Sequence, residues 1–483
     1  MTGTFIGRET ELEALRRELG RGRPSLLVVL GRRRVGKSRL LIEAVSRRPS
    51  IYYQATKVAA SMSLALFKAE AAKVLGSGAV LDGISDWYTT LVHIEQAAAR
   101  LPGLTVTIDE FPYLCEVDPS LPSVIQKFWD QVRPTRSTFN LVLCGSRISF
   151  MEDLLAERNP LHGRQSLKLD VGSLPYRDAA RFFPKWSSED RLRAYAVFGG
   201  IPFYLNLCDP TASLGANIVD LVLASGAPLA DEPDTLLQAE LRDVTRYATI
   251  LRAIADGCTR SGDIIGRVRE FPSASALSSY LDKLQELRLI RVVRSLDATE
   301  RERDRRYYLD DPFLAFWFQF CLPNISALAA GHADQVWRHA IAPKLDEYMG
   351  ELFEWICRDH ARLHLQEVLP APAQLVGQIW SRDFDIDIAG RLLDGSMLYG
   401  ECKWWSTPVG ENVLDHLVAC SQATSWGKDE ARRHYLLYSR TGFTAGLKRR
   451  AASGTVSVHL FSPDNLLRGP PRKPIRKARP SRG

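Results

Sequence analysis

Two groups of residues in this sequence have the types and spacing for phosphate chemistry, and they lie far apart along the chain. Near the start, "SLLVVLGRRRVGKSRLLIEAV" sets Gly31, Gly36, Lys37 and Ser38 in a GxxxxGK[ST] pattern. An apolar run that reads as a strand precedes the pattern and a helix follows it, which is the context the pattern requires, and Arg39 next to Ser38 is a further nucleotide-binding candidate. Loop amides and a helix N-terminus cradle phosphate, the Lys37 ammonium reaches the outer phosphates, and the Ser38 hydroxyl suits Mg²⁺. Further on, "LTVTIDEFPYL" reads as a buried strand ending in Asp109 and Glu110. The first acid can hold the metal, and the second can orient or deprotonate an attacking water. "FNLVLCGSRISFM" is another apolar strand, and it ends at Ser146, where a hydroxyl can sense the terminal phosphate. Together these residues imply binding and hydrolysis of ATP with Mg²⁺.

The second group begins with "SMLYGECKWW", which reads as a strand with Glu401 and Lys403 one residue apart and hence on the same face of the pleat. Before it, "QIWSRDFDIDIAG" reads as one alternating strand with Asp383, Asp385 and Asp387 on one face. Asp387 and Glu401 are fourteen positions apart, enough for a turn between neighbouring strands. In that arrangement Asp387 and Glu401 would hold one or two Mg²⁺, and Lys403 would position water or stabilise charge on a pentacoordinate phosphate. Phosphodiester hydrolysis calls for a hard cation held by carboxylate oxygens. The other reading of alternating acids is a solvated edge.

The elements that must position these groups follow from the pattern around them. "LDEYMGELFEWICRDHA" is an amphipathic helix with Tyr348, Leu352, Trp355 and Ile356 on its packing side and Glu351 and Glu354 among them. After Lys403 come a helix, "ENVLDHLVACSQA", and a strand, "RHYLLYSR". Between the two groups, "YATILRAIADG", "TRSGDIIGRV" and "SASALSSYLDKLQELRLIRVV" read as three helices, the last running into a strand. "RVVRSL" and "RRYYLDD" then flank the charged connection "DATERERD" as a two-stranded wing. Such a winged helix often places its third helix in a major groove. Here its exposed positions include Ser275, Ser279, Asp282, Lys283 and Glu286, so protein contact or regulation is as good a reading as DNA readout. The aromatic "DPFLAFWFQFCLPN" suits packing between domains better than base stacking.

At 483 residues the chain should contain two to four domains, and 45% hydrophobic with 25% charged residues is ordinary for globular protein. "LLVVL" is far short of a membrane span and the first residues lack a leader pattern, so no membrane partner and a cytoplasmic location are expected. Eight cysteines are scattered without a metal-ligand pattern, as core residues of a reducing compartment would be. The net charge of +7 is carried by the tail: "RGPPRKPIRKARPSRG" has seven Lys or Arg and no acid, leaving 56 basic and 56 acidic residues elsewhere. A basic, proline-rich tail suits a nucleic-acid backbone or mere solubility.

With these motifs in place, the chain resembles the archaeal ATPase family, AAA-related ATPases of the STAND type. "FIGRETELEAL" matches the family's nucleotide box, which implies that Gly7, Arg8 and Glu9 approach the adenine. "NPLHGRQSLKL" matches a segment that offers Arg164 as a finger toward the γ-phosphate, a role that in trans would need a homo-oligomer, and "FGGIPFYL" matches the lid motif with Pro202 near the base. The far end is similar to the restriction-endonuclease-like PD-(D/E)xK fold, which members of the family commonly carry there. "GELFE" matches its GxxFE pattern and implies that Glu354 completes the metal site; no proline precedes the aspartate, as it does in many members.

The expected fold class is α/β. A three-layer P-loop core over residues 1–180 is followed by a helical lid at 181–240, a winged helix at 241–320 and connecting helices at 321–340. A nuclease-like domain at 341–467 and a disordered basic tail at 468–483 complete the chain. The expected function is ATP hydrolysis coupled to a metal-dependent nuclease-like domain that acts on DNA. Two alternatives stay open: a nucleotide-gated regulator whose last domain only binds, and a DNA-binding scaffold that treats ATP as a structural ligand.

Overall fold

The computed structural model describes residues 5–468 except 242, 269–270, 272, 299–304, 367, 429 and 431. The charged connection at 299–304 and the basic tail beyond Arg468 lie outside the described residues. The chain forms two compact units, one running through Leu174 with Gly200–Phe203, the other comprising Pro175–Gly199 and Tyr204 onward.

In the first unit, β1 (Ser25–Leu30), β2 (Ser50–Gln54), β3 (Thr105–Asp109), β4 (Asn140–Gly145) and β5 (Leu167–Asp170) form a parallel sheet in the order β2-β3-β4-β1-β5. Both β1 and β4 are buried at every position. That is why they read as unbroken apolar runs rather than alternating ones: crossover helices cover both faces of a parallel sheet. Helices Ala60–Leu75, Trp87–Ala97 and Leu121–Val132 contribute Phe67, Leu91, Ile94, Ile125 and Phe128 to one core with Val28, Ile51, Val106 and Leu141. The order places β4 between β1 and β3. The loop after β1, the acids after β3 and Ser146 after β4 therefore share the carboxyl edge of the sheet, the edge at which parallel α/β sheets bind ligands.

In the second unit, helices Val244–Ala255, Ser261–Val268 and Ala274–Glu286 precede an antiparallel pair, β6 (Ile290–Arg294) and β7 (Arg305–Leu309). A second sheet follows, built from β8 (Ala373–Trp380), β9 (Asp385–Leu392), β10 (Met397–Lys403), β11 (Arg433–Ser439) and β12 (Ser457–Phe461), in the order β12-β11-β10-β9-β8. β8, β9 and β10 form an antiparallel meander, while β11 and β12 run parallel to β10. Helices Leu345–Leu363 and Glu411–Ala423 pack on these strands. The second of them sends Leu414 and Leu417 into a core with Tyr399 and Leu437.

The sheet departs from the sequence expectation in one respect. The run read as a single strand through Asp383 and Asp387 is the turn of a hairpin: β8 ends at Trp380 and β9 starts at Asp385. Ser381 Oγ accepts from the amides of Asp383 and Phe384 at 3.1 and 3.2 Å, a serine turn that reverses the chain inside an otherwise alternating pattern. Asp383 is thus a turn residue and does not share a strand face with Asp387. The free edge of β8 is covered by the segment after β6. Leu296 N donates to Gln378 O at 3.0 Å, and Trp380 N donates to Ser295 Oγ at 3.0 Å. Covering an edge in this way removes a template for aggregation.

Among the described residues one helical stretch, Pro312–Ala329, is long and apolar enough to cross a membrane by length and composition, and 50% of it is buried. Its aromatic side chains pack rather than stack on solvent: the Phe316 and Phe320 rings lie 6.1 and 5.4 Å from that of Tyr348.

Candidate functional site

The loop after β1 is shaped by two glycines. At Gly31 a Cβ would sit 2.2 Å from the Val171 carbonyl oxygen, and Gly36 has φ 91°, a left-handed conformation that favours glycine. Between them Arg34 is left-handed too, with φ 68°, and its guanidinium lies 4.6 Å from the centre of the Phe203 ring. Lys37 opens helix Lys37–Val45, is 5% exposed, and donates from Nζ to the carbonyls of Gly31 and Arg32 at 2.7 and 2.9 Å. The ammonium is thereby held over the mouth of the loop, where the β- and γ-phosphates of a nucleotide sit in loops of this type.

Asp109 accepts a hydrogen bond from Ser38 Oγ at 2.5 Å, one from the Tyr52 hydroxyl, and one from the Glu110 amide at 2.9 Å. Burial opposes its ionisation, but the hydrogen bonds from Ser38 and Tyr52 outweigh burial and hold the carboxyl below the usual range. A carboxylate held in its ionised form beside a serine hydroxyl is a donor pair that fits Mg²⁺ carrying its own waters. Burial, with the charge on Asp109, pushes the Tyr52 phenol well up, so it stays a protonated donor. Tyr52 was invisible in the sequence because nothing in "SIYYQ" marks one tyrosine from its neighbour.

Glu110 is left-handed, with φ 53°, at the N-cap of helix Phe111–Val117. Its carboxylate accepts from Ser146 N and Oγ at 3.2 and 2.8 Å. Strain of this kind persists where surrounding structure enforces it and clusters at functional sites. Ser146 and Glu110 are therefore brought together, as are Ser38 and Asp109.

The residues attributed by resemblance fare unevenly. Gly7 and Arg8 are both left-handed, and Arg8 is 7% exposed with its guanidinium bound to Glu11, the Val35 carbonyl and the Gly172 carbonyl. Arg8 thus buttresses the phosphate loop through Val35. Pro202 borders the loop, its Cγ 3.7 Å from where a Cβ on Gly36 would lie, while Arg39 is exposed at the start of the helix. Arg164 makes a two-pronged pair with Asp130, at 2.8 and 2.9 Å, and donates to the carbonyls of Pro160 and His162. Its planar fork is spent on Asp130, so action as a finger would first require release from that partner.

In the second unit the meander brings Asp387 beside the end of β10. Asp387 Oδ2 accepts from the Cys402 amide at 2.9 Å, and Lys403 Nζ lies 2.5 Å from Glu401 Oε1. Helix Leu345–Leu363 supplies Glu354, and one turn later Arg358 donates to the Asp387 carbonyl at 2.9 Å and to Glu354 Oε2 at 3.4 Å. Burial and the charge of Asp387 push Glu354 up to about 8 and Glu401 up to about 7, Lys403 opposing the rise at Glu401. Asp387 is also raised, mainly by burial.

Among the described residues, however, no three His, Cys, Asp or Glu side chains are gathered closely enough to hold a metal ion. The three-carboxylate set is therefore not assembled: Glu354 is turned to Arg358, a residue that sequence reading passed over. Asp387 and Glu401 remain, near enough for the charge of Asp387 to raise Glu401, and two such carboxylates are what an Mg²⁺ ion that keeps several waters would need.

Comparison with known proteins places these features in a family. A model of an ATPase domain predominantly from Archaea matches residues 5–207, and a model of archaeal and bacterial proteins of unknown function matches residues 317–413. An uncharacterized protein of Methanocaldococcus jannaschii is 30% identical over 405 residues, covering 83% of this chain and 87% of that protein. Among solved structures, the Walker-type ATPase PABY2304 of Pyrococcus abyssi matches 65% of this chain and 96% of its own, with 20% identity and a TM-score of 0.50. The ORC2 protein of Aeropyrum pernix matches 68% of this chain and 98% of its own, with 15% identity and a TM-score of 0.43. The chain therefore belongs to the family of its Methanocaldococcus relative, its own residues 5–207 are an ATPase domain of a kind found predominantly in Archaea, and it is a P-loop ATPase.

Proposed function

We propose that ATP binding and hydrolysis in the first unit control a metal-dependent phosphodiesterase site in the second, and that this site acts on DNA. The observation that carries the reading is the placement of Asp387, Glu401 and Lys403 at adjoining positions of β9 and β10, with Asp387 bonded to the Cys402 amide between the other two. The order of elements around them supports it: helix, three antiparallel strands, helix, then a parallel strand, as in restriction-endonuclease-like domains. In this reading Ser38 and Asp109 hold Mg²⁺ at the nucleotide, Lys37 binds the outer phosphates, Glu110 prepares water, and Ser146 orients Glu110. At the other site Asp387 and Glu401 hold Mg²⁺, which supplies Lewis acidity to the phosphodiester, and Lys403 steadies the developing charge.

Three helices and a hairpin between the sites fit a winged helix. Its third helix exposes Ser275, Ser278, Ser279, Asp282, Gln285 and Glu286, and Lys283 pairs with Glu286 at 2.9 Å. That face carries no surplus of cations for phosphate, which favours a role in linking over a role in reading DNA.

The test is cleavage of single- and double-stranded DNA with Mg²⁺ or Mn²⁺, with and without ATP, by wild type, Asp387→Ala, Lys403→Ala and Lys37→Ala. Cleavage lost in the first two variants supports the reading, and the third shows whether ATP gates it. ATP hydrolysis without cleavage of any substrate would leave the last domain a binding module and the chain a nucleotide-gated regulator.

A further inference from the structure

Two adjacent tryptophans follow Lys403, and the structure gives them opposite surroundings. Trp404 is 6% exposed, its ring 4.9 Å from Phe353 and flanked by the guanidinium groups of Arg193 and Arg440 at 5.6 and 5.5 Å. Its indole nitrogen donates to Asp346 at 3.2 Å, so its packing and its polar atom are both satisfied within the fold. Trp405 is 45% exposed, with the Lys403 ammonium 5.3 Å from its ring centre. Among the described residues it shares with Phe203 alone the property of being aromatic and exposed, and Phe203 lies under Arg34.

An exposed indole is ordinary when it stands by itself, but this one projects from the carboxyl end of β10 next to Lys403. The loop carrying it is not loose. Val409 N donates to Gly442 O at 2.9 Å and Thr444 N donates to Val409 O at 3.0 Å, which ties the loop to the start of helix Ala445–Ala452. That helix exposes Lys448 and Arg449, neither of which has an ion-pair partner among the described residues. A half-exposed indole with the Lys403 ammonium over its ring, beside a carboxylate pair, is the combination that engages an unpaired base and the phosphate next to it.

We infer that Trp405 is a stacking platform for one base of a single-stranded segment, so that the site takes a single strand, a flap or a frayed end in preference to intact duplex. This rests on the nucleic-acid reading of the Asp387, Glu401 and Lys403 site. The physical reason is selective: bases in a duplex are already stacked on both faces, so Trp405 can engage one only after it has been pulled out, whereas a single strand offers its bases freely. Trp405 acts on binding and strand choice, not on the bond that breaks.

The test measures binding without cleavage. Fluorescence anisotropy in EDTA follows a labelled thymidine strand, the same strand with abasic positions, and a blunt duplex of equal length, using the full chain as wild type, Trp405→Ala and Trp405→Phe. The expected result is a loss of about ten- to a hundredfold in strand affinity for Trp405→Ala, the range of one stacked base. Duplex affinity should be unchanged, most of the strand affinity should survive in Trp405→Phe, and the abasic strand should bind wild type as weakly as the natural strand binds Trp405→Ala. A Trp405→Ala variant that binds the strand as wild type does, or that loses strand and duplex equally, overturns the inference while leaving the nuclease reading standing. Wild type that binds neither strand nor duplex overturns both.

Discussion

The Ser38 hydroxyl rests 2.5 Å from the Asp109 carboxylate, joining residues 71 positions apart at the carboxyl edge of the first sheet. Each holds the other in place, and Tyr52 holds Asp109 from a second side. Asp109→Asn keeps the shape and removes the charge that would face Mg²⁺. Steady-state ATP hydrolysis should then fall by roughly a hundredfold or more, as when a group that stabilises developing charge is lost. Lys37→Ala should also abolish turnover, but by weakening nucleotide binding, which titration with a fluorescent ATP analogue will separate from the Asp109→Asn effect.

Glu110 and Ser146 act as a pair. Glu110→Gln should reduce hydrolysis by about 10²- to 10⁴-fold, the contribution of a positioned general base, while leaving ATP affinity within a few-fold of wild type. Ser146→Ala should give a smaller loss, because it frees the Glu110 side chain without removing it. Equal losses of ATP affinity and turnover in Glu110→Gln would show that the residue serves binding instead.

Arg164 and Asp130 form a partly exposed pair, the side chains 23% and 47% accessible. Such pairs contribute under about 1 kcal/mol. Arg164→Ala and Asp130→Asn should therefore behave alike, with small changes in melting temperature and ATPase rates within a few-fold of wild type. A drop of several orders of magnitude in Arg164→Ala alone, at protein concentrations that allow self-association, would restore the finger role.

Arg358 sits 16% exposed between Glu354 and the backbone of Asp387. Truncating Arg358 leaves the half-buried Glu354 carboxyl, 33% exposed, and the Asp387 carbonyl without their donor, which destabilises the fold. Arg358→Met should therefore lower the melting temperature clearly. Adding Glu354→Gln should recover part of the loss, since the unpaired acid goes with it, and a double-mutant cycle by thermal denaturation reads the coupling.

His360 is 3% exposed, and its Nδ1 lies 3.0 Å from the Tyr438 hydroxyl. Burial, reinforced by the nearby charges of Arg177 and His364, lowers its pKa from 6.5 to about 3. The folded protein thus keeps this imidazole neutral while the unfolded chain protonates it below its ordinary value. Stability is full above about pH 6.5 and declines as pH falls toward 3, by on the order of 4 kcal/mol for this group. His360→Gln should flatten the acid side of a melting-temperature profile measured across that window, at some loss of stability near neutral pH.

Local pattern made much of the molecule legible in advance. The phosphate loop is a contiguous stretch whose glycines and following helix are set by backbone sterics, and buried parallel strands announce themselves as apolar runs, so Lys37, Ser38, Asp109, Glu110 and Ser146 could all be named and placed. The three helices and hairpin before the second sheet were equally readable, because each bounded run carries its own period and stop. In the second sheet the pleat correctly paired Glu401 with Lys403, but the hairpin at Ser381 hid in an alternating pattern, since a serine side chain turning the chain looks the same in sequence as a polar residue facing out.

What only the tertiary structure decided is which charges and rings meet across long separations. Arg164 could be an arginine reaching for phosphate or one held by an acid, and the packing of helix Leu121–Val132 brought it Asp130. Glu354 was placed on the right helix, yet Arg358 one turn away claims its carboxylate. Trp404 and Trp405 are identical in type and adjacent in sequence, and only the closing of Phe353, Arg193 and Arg440 around the first leaves the second facing solvent. Sequence periodicity encodes the face a side chain takes on its own element; the partner waiting on that face comes from other elements, and its arrival is a property of the folded chain.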